Sequence, residues 1–257
     1  MSYSLFSFVV RNKKQSIMKE DRDLFFLADC KNEDLKTLVD IMTHDKDGNV
    51  RFTEELTITE AYLQCYPHNL RNMWRNIADE LQHFGGNTIV NVCRREGVSY
   101  RTILEDVCMK MKVYFSDFDE TEVLEKSLLK KLCSDVVNKM SDAELREMCD
   151  SLEIPTKSPK KYMIAAAIQM AIRRGGAMLA HITIYISRMI TEVVLGRGAM
   201  IVGANFLNKA FGFFTGPVGW LIAAGWAIYD LASPAYRVTV PCVVQIACMR
   251  MQLNNSK

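Results

Sequence analysis

The feature that most limits what this chain can fold into is a glycine-rich apolar stretch toward its C-terminal end. Between residues 198 and 229 the only charged side chain is Lys209, and residues 210–229, AFGFFTGPVGWLIAAGWAIY, carry none. A segment of this kind must be buried, against other protein or in lipid, because so much apolar surface is unfavourable in water. Its charge-free run is about as long as a bilayer-spanning helix, roughly 20 residues. Its centre argues against one straight span. Pro217 has no N–H with which to continue a helical ladder, and Gly216 and Gly219 beside it permit the chain to reverse. The pattern therefore predicts a hairpin over residues 198–231 with arms of about 15 residues, each short for an independent span. Gly212 and Gly216 stand in the G-x-x-x-G spacing that lets two helices approach closely. Trp220 and Trp226, on the second arm, have rings suited to a membrane interface. Gly212, Gly216, Pro217, Gly219, Trp220 and Trp226 are thus the candidate membrane-contact residues. The competing expectation makes the same hairpin the core of a helical bundle, since the rest of the chain has enough amphipathic helix to cover it.

Charge divides the chain in the same place. Residues 175–257 hold six basic and two acidic side chains, a net +4, whereas residues 1–174 hold the other 54 of the 62 charged groups and a net −2. A formal total of +2 is too close to neutral to imply a polyanion as the main partner, so nucleic acid is not expected. Apolar residues make up 49% of the 257 and charged residues 24%, which is a globular and not a disordered composition. The eight cysteines fall singly in apolar helical contexts without any C-x-x-C pair, and they read as reduced core thiols. The opening MSYSLFSFVVRNKK places its apolar run before the basic cluster, the reverse of a secretory signal. The expected location is the cytoplasm, with the inner face of the cytoplasmic membrane as the place of any lipid contact.

Periodicity places the chain in the all-α class: a mostly helical bundle with the C-terminal apolar hairpin, and with allowance for one short extended segment near residues 236–240. The spacing divides it into an N-terminal extension (1–20), a short N-terminal helical domain (21–50), a helical domain (51–153), a linker (154–161) and an apolar C-terminal region (162–257). Asn32 is a plausible N-cap for a helix with Leu35, Leu38, Val39 and Met42 on one face. Gly85 in QHFGGN is a candidate helix terminator, with a further helix through Val90 and Val92. Residues 119–138 read as a charged amphipathic helix, and SDAE at 141–144 as a capping box. Two prolines and three lysines in EIPTKSPKK mark the linker. Beyond it, Met163, Ile164, Ala167, Ile168, Ala171 and Ile172 form an apolar stripe between basic clusters, which suits a membrane surface or a helix packed on its own domain. After Pro234, the alternation in YRVTV reads as extended, and Pro241 as the first turn of a final helix.

Few residues carry a recognisable chemistry. Glu80 and His83 form an E-x-x-H pair, the spacing that turns a carboxylate and an imidazole toward one metal in di-iron bundles, but a second such motif is missing. A metal-dependent enzyme around that pair is one alternative; a histidine bonded within its helix is the other. THDKDGNVRFTE at 43–54 overlays a calcium loop except that Thr43 stands at the first acidic position, so a turn between helices is expected. Patterns for phosphate loops, nucleophile elbows, zinc proteases and dinucleotide sites are absent. No cofactor is expected.

DELQHFGGNTI at 79–89, SPAYRVTVPCVVQIACMRM at 233–251 and the front segment DRDLFFLADCKNEDLKTLVDIMTHD resemble the bacterial YaaW-like family of uncharacterised proteins, including their short N-terminal helical domain. The resemblance implies a helical protein with a shared glycine-rich apolar tail, and it supplies no catalytic residues. The expected function is a non-enzymatic helical protein whose hairpin contacts or conditionally inserts into a membrane, in stress or bacterial conflict. The partners would be membrane lipid, another protein or further copies of the chain. The alternative is an interaction or chaperone-like module with the hairpin as its core.

Overall fold

The computed structural model describes residues 20–45, 49–51, 56–89, 98–154, 161–195 and 236–255. Among them every regular element is helical, and the only extended pairing is the isolated antiparallel bridge between His44 and Val50. The fold is all-α, as the periodicity implies.

The Asp21 carboxylate accepts the Asp23 N–H and opens a 3-10 helix, Arg22–Asp29, that buries Leu24 and Leu27. Helix α1, Asn32–Thr43, buries the expected face of Leu35, Leu38, Val39 and Met42. Its N-cap, however, is Lys31 and not Asn32. The Asn32 amide instead donates to the Pro67 carbonyl at 2.8 Å and accepts the Leu70 N–H at 2.9 Å, so a tertiary link has displaced a local cap. Helix α2, Glu60–Cys65, ends ahead of Pro67, and a 3-10 turn, Leu70–Met73, leads into α3, Trp74–Ile89. That helix runs through Gly85, where the sequence predicts a stop. Glycine allows a left-handed exit but does not require one. The helix predicted through Val90 and Val92 lies outside the described residues.

Helix α4, Tyr100–Lys110, is capped by the Ser99 hydroxyl, and α5, Thr121–Lys139, is the predicted charged helix. Helix α6, Asp142–Ser151, opens with the predicted capping box between Ser141 and Glu144. Helices α4 and α6 close with the same device. After α4, Lys112 N–H bonds the Met109 carbonyl and Val113 N–H the Cys108 carbonyl, a Schellman turn with Lys112 at φ +57°; Glu153 takes the equivalent place after α6 at φ +51°. Helices α7, Lys161–Arg174, and α8, Gly176–Leu195, are separated by Gly175 and Gly176 at φ +77° and +67°, angles that an L side chain adopts only with strain. The stripe on α7 resolves into an ordinary buried face: Ile164, Ile168 and Ile172 are buried while Met163 and Met170 are exposed. This face meets α5, where the Gln169 amide also reaches Ser134 and Asn138.

The last helix, α9, Tyr236–Asn255, corrects the expectation of an extended segment near 236–240 and places Pro241 within the helix, as its sixth residue. The physical reason is its position. It packs against α1, α3, α4, α5 and α8, and every side chain from Val238 to Arg250 is buried. Among close helical neighbours with no strand to pair with, only a helix satisfies the backbone polar groups internally, and this outweighs the β preference of Val238, Thr239 and Val240. Pro241 costs one hydrogen bond, to the Arg237 carbonyl, which the surrounding burial offsets.

The described cysteines are all unpaired, and all but the half-buried Cys65 are buried. Burial pushes the Cys30, Cys108 and Cys133 thiols up to about 12. They are core thiols, as their contexts imply.

Because α9 is surrounded on all sides, truncating it should cost far more than truncating an outward position. Ile246→Ala is expected to lower unfolding free energy by about 2–5 kcal/mol, and the exposed Met170→Ala to change it by less than about 0.5 kcal/mol. Urea unfolding of the two variants measures the contrast.

Candidate functional site

The strongest concentration of buried polar chemistry lies near the C-terminal end of α9. Arg250, only 8% exposed, donates from Nε to Glu125 Oε2 at 2.7 Å, while the buried Tyr100 hydroxyl donates to Glu125 Oε1 at 2.7 Å. Arg250 Nη2 donates to the Asp23 carbonyl, and its guanidinium lies 4.0 Å from the Phe26 ring centroid. Asp21 accepts the Tyr100 N–H at 2.6 Å, and the Asp23 carboxylate accepts the Thr121 hydroxyl at 2.8 Å. Four elements meet here: the N-terminal 3-10 helix, α4, α5 and α9. Burial raises the Glu125 carboxyl above its usual range, against the pull of Arg250 and the Tyr100 hydrogen bond. Burial and the Glu125 charge raise the Tyr100 hydroxyl as well. For Arg250, burial acts to lower the guanidinium, but the charge and hydrogen bond of Glu125, with Tyr100 and Asp23, together outweigh it and raise it. Both carboxylate oxygens are occupied by protein donors, so the cluster is a clamp and not a catalytic pair.

A second arrangement runs along the seam between α8 and α9. Ser187 on α8 bonds Gln245 on α9 at 3.3 Å, and the Cys248 thiol reaches toward the Thr183 carbonyl. Moving down α8 thus moves up α9, and the two helices are antiparallel. From Ser187 to Leu195 is roughly 12 Å of helix and from Gln245 to Tyr236 roughly 13.5 Å. The chain therefore leaves α8 and re-enters at α9 on the same level of the bundle. Tyr236 is clamped onto α4: its hydroxyl bonds the Asp106 carboxylate, burial and that carboxylate push its pKa above the usual phenol range, and the Lys110 ammonium lies 5.2 Å from its ring centroid.

Gly212, Gly216, Pro217, Gly219, Trp220 and Trp226 all lie outside the described residues, as does the whole hairpin 198–231. Among the described residues no helix is long and apolar enough to cross a membrane. Glu80 is buried on α3, and the His83 Nδ1 contacts the Asp79 carbonyl of its own helix at 2.8 Å. No group of three histidine, cysteine or acidic residues among the described ones is arranged to hold a metal, so Glu80 and His83 gain no third ligand. At the calcium-like loop, Thr43 is buried in α1 with its hydroxyl donated to the Val39 carbonyl, and Asp45 accepts the Asn49 N–H at 2.8 Å. Those bonds describe a turn between helices. Sequence reasoning missed the clamp, although it has a signal: Arg250 is the only charge in the run 238–250, and a charge in so apolar a stretch demands a buried partner.

These features define a class: an all-α bundle around a central C-terminal helix that is locked by a buried ion pair. Residues 18–52 match the family described as a domain of unknown function, DUF3944. The chain is 35% identical over 235 residues to a UPF0174 protein of Helicobacter pylori strain J99, covering 91% of this chain and 92% of that one. To the UPF0174 protein YaaW of Escherichia coli K12 it is 30% identical over 236 residues, covering 91% and 95%. The chain belongs to the UPF0174 family, as its resemblance to YaaW-like proteins implies. No solved structure matches it.

Removing one member of the clamp leaves a buried charge without its partner. Arg250→Met is expected to cost about 3–5 kcal/mol at neutral pH. The unpaired Glu125 then has a still higher folded-state pKa, so its protonated form contributes stability at low pH that is lost as pH rises through that pKa. The deficit should therefore shrink on mild acidification, which urea unfolding at acidic and neutral pH would reveal.

Proposed function

We propose that this is a non-enzymatic helical protein whose apolar segment, residues 198–231, contacts or conditionally inserts into a lipid bilayer at the inner face of the cytoplasmic membrane. The observation that carries the reading is the register of α8 against α9. The two helices pack directly, with Leu195 and Tyr236 level, so a short turn could have joined them. The chain instead places residues 196–235 there, with Arg197, Lys209 and Asp230 as their only charges. A long, nearly uncharged connection at one end of a bundle would be a membrane-seeking element that the bundle presents without rearranging its core. Gly212 and Gly216 would let the hairpin arms close, Pro217 and Gly219 would form its turn, and Trp220 and Trp226 would sit at the interface.

The alternative, with the hairpin as the core of an interaction or chaperone-like module, meets a competitor. The centre of the described bundle is occupied by α9, whose side chains are buried over three turns. An enzymatic reading around Glu80 and His83 has no support in the geometry of His83, whose ring is engaged within α3.

Ala223→Asp separates the readings, because a carboxylate is costly in lipid or in a core. On the membrane reading the variant keeps its helical circular dichroism and unfolding midpoint but no longer floats with lipid vesicles. Unchanged flotation would sink the membrane reading, and global unfolding would favour the hairpin as core.

A further inference from the structure

The end of the bundle where α9 begins carries an exposed cluster that neither the clamp nor the helix core uses. Met109, on the outer face of α4, is 61% exposed, and Tyr114, just past the helix, is 98% exposed. Lys110 and Lys112 lie between them, with Lys112 exposed and Lys110 over the Tyr236 ring. The nearby acidic groups are engaged or turned away. Glu105 pairs with Arg101 at 2.6 Å, and Asp106 is bonded to Tyr236. Asp119 accepts the Ser116 N–H, and its carbonyl accepts from Arg101 near the start of α4, so Asp117 and Asp119 fall toward the opposite end of that helix. Among the described residues, what remains on this face of α4 and its exit is the exposed Met109 and Tyr114 side chains and two ammonium groups.

We infer that Met109, Lys110, Lys112 and Tyr114 form a footing that rests on the surface of an anionic bilayer beside Tyr236. Methionine and tyrosine side chains would enter the headgroup region, with the tyrosine hydroxyl kept wet, while the lysines face lipid phosphates. Lys112 adds an independent pointer. It occupies the left-handed position of a Schellman turn, where glycine is the unstrained choice, so a charge is present at a backbone cost. The inference rests on the membrane reading proposed above, and places the orientation of the bundle on the lipid in described residues alone.

The strain at Lys112 also supplies a clean variant. Lys112→Gly removes the charge while relaxing the backbone, so its unfolding midpoint should hold or rise. Vesicle sedimentation of the full chain, with phosphatidylcholine alone and with phosphatidylcholine mixed with phosphatidylglycerol, is the measurement. Wild type should prefer the anionic vesicles at low salt. Lys112→Gly should weaken that binding roughly fivefold and leave the neutral vesicles unaffected, and Tyr114→Ser should weaken both. If wild type binds and both variants bind equally well, the footing is wrong while the membrane reading stands. If wild type binds neither vesicle, both fail.

Discussion

A guanidinium in the centre of a protein must be neutralised where it lies, and the arrangement of this bundle follows from how Arg250 meets that demand. Taking an arginine out of water costs several kcal/mol unless a carboxylate and further acceptors replace the solvent. Glu125 supplies the charge, the Asp23 carbonyl a further acceptor and the Phe26 ring a face for the cation. These partners come from α5 and from the 3-10 helix at the front of the chain. The pair therefore joins residues 125 positions apart, the Asp23 contact residues 227 apart, and together they set how far α9 can slide among its neighbours. A hydrophobic interface alone would tolerate such sliding; a buried ion pair does not.

The short N-terminal domain acquires a structural role from the same contact. Asp21, Asp23 and Phe26 all serve the clamp or its supports, and Asp34 on α1 offers its carbonyl to Gln245 on α9. The residues that match a domain family of their own are thus a cap on the central helix. At the other end, the antiparallel register of α8 and α9 brings the flanks of the apolar segment together. One helix consequently links the two ends of the bundle, the clamp near its C-terminus and the junction with the apolar segment at its start.

Much of this architecture is written locally. The capping box at Ser141 and Glu144, the buried faces of α1 and α7, the break before Pro67 and the solitary cysteines follow from spacing and side-chain type. Two of the three failures share a cause. Asn32 looks like a cap, but it bonds Pro67 and Leu70; Gly85 looks like a stop, but α3 continues; residues 236–240 look extended, yet they are helical because they sit among helices. At Asn32 and over 236–240 a long-range neighbour outweighs a local preference worth about 1 kcal/mol or less, whereas at Gly85 the glycine permits an exit that the helix does not take. The clamp was hidden for the same reason: no spacing rule links Arg250 to Glu125 and Tyr100.

By itself the sequence determined the helical class, the uncharged character of the segment around Gly216 and Pro217, and its need for burial, because these depend on composition and on periods of a few residues. Only the tertiary structure decided which helix occupies the centre, which charge answers Arg250, and that α8 ends level with the start of α9. Those outcomes depend on the relative placement of helices far apart in the chain, which packing and the cost of burying a charge settle together.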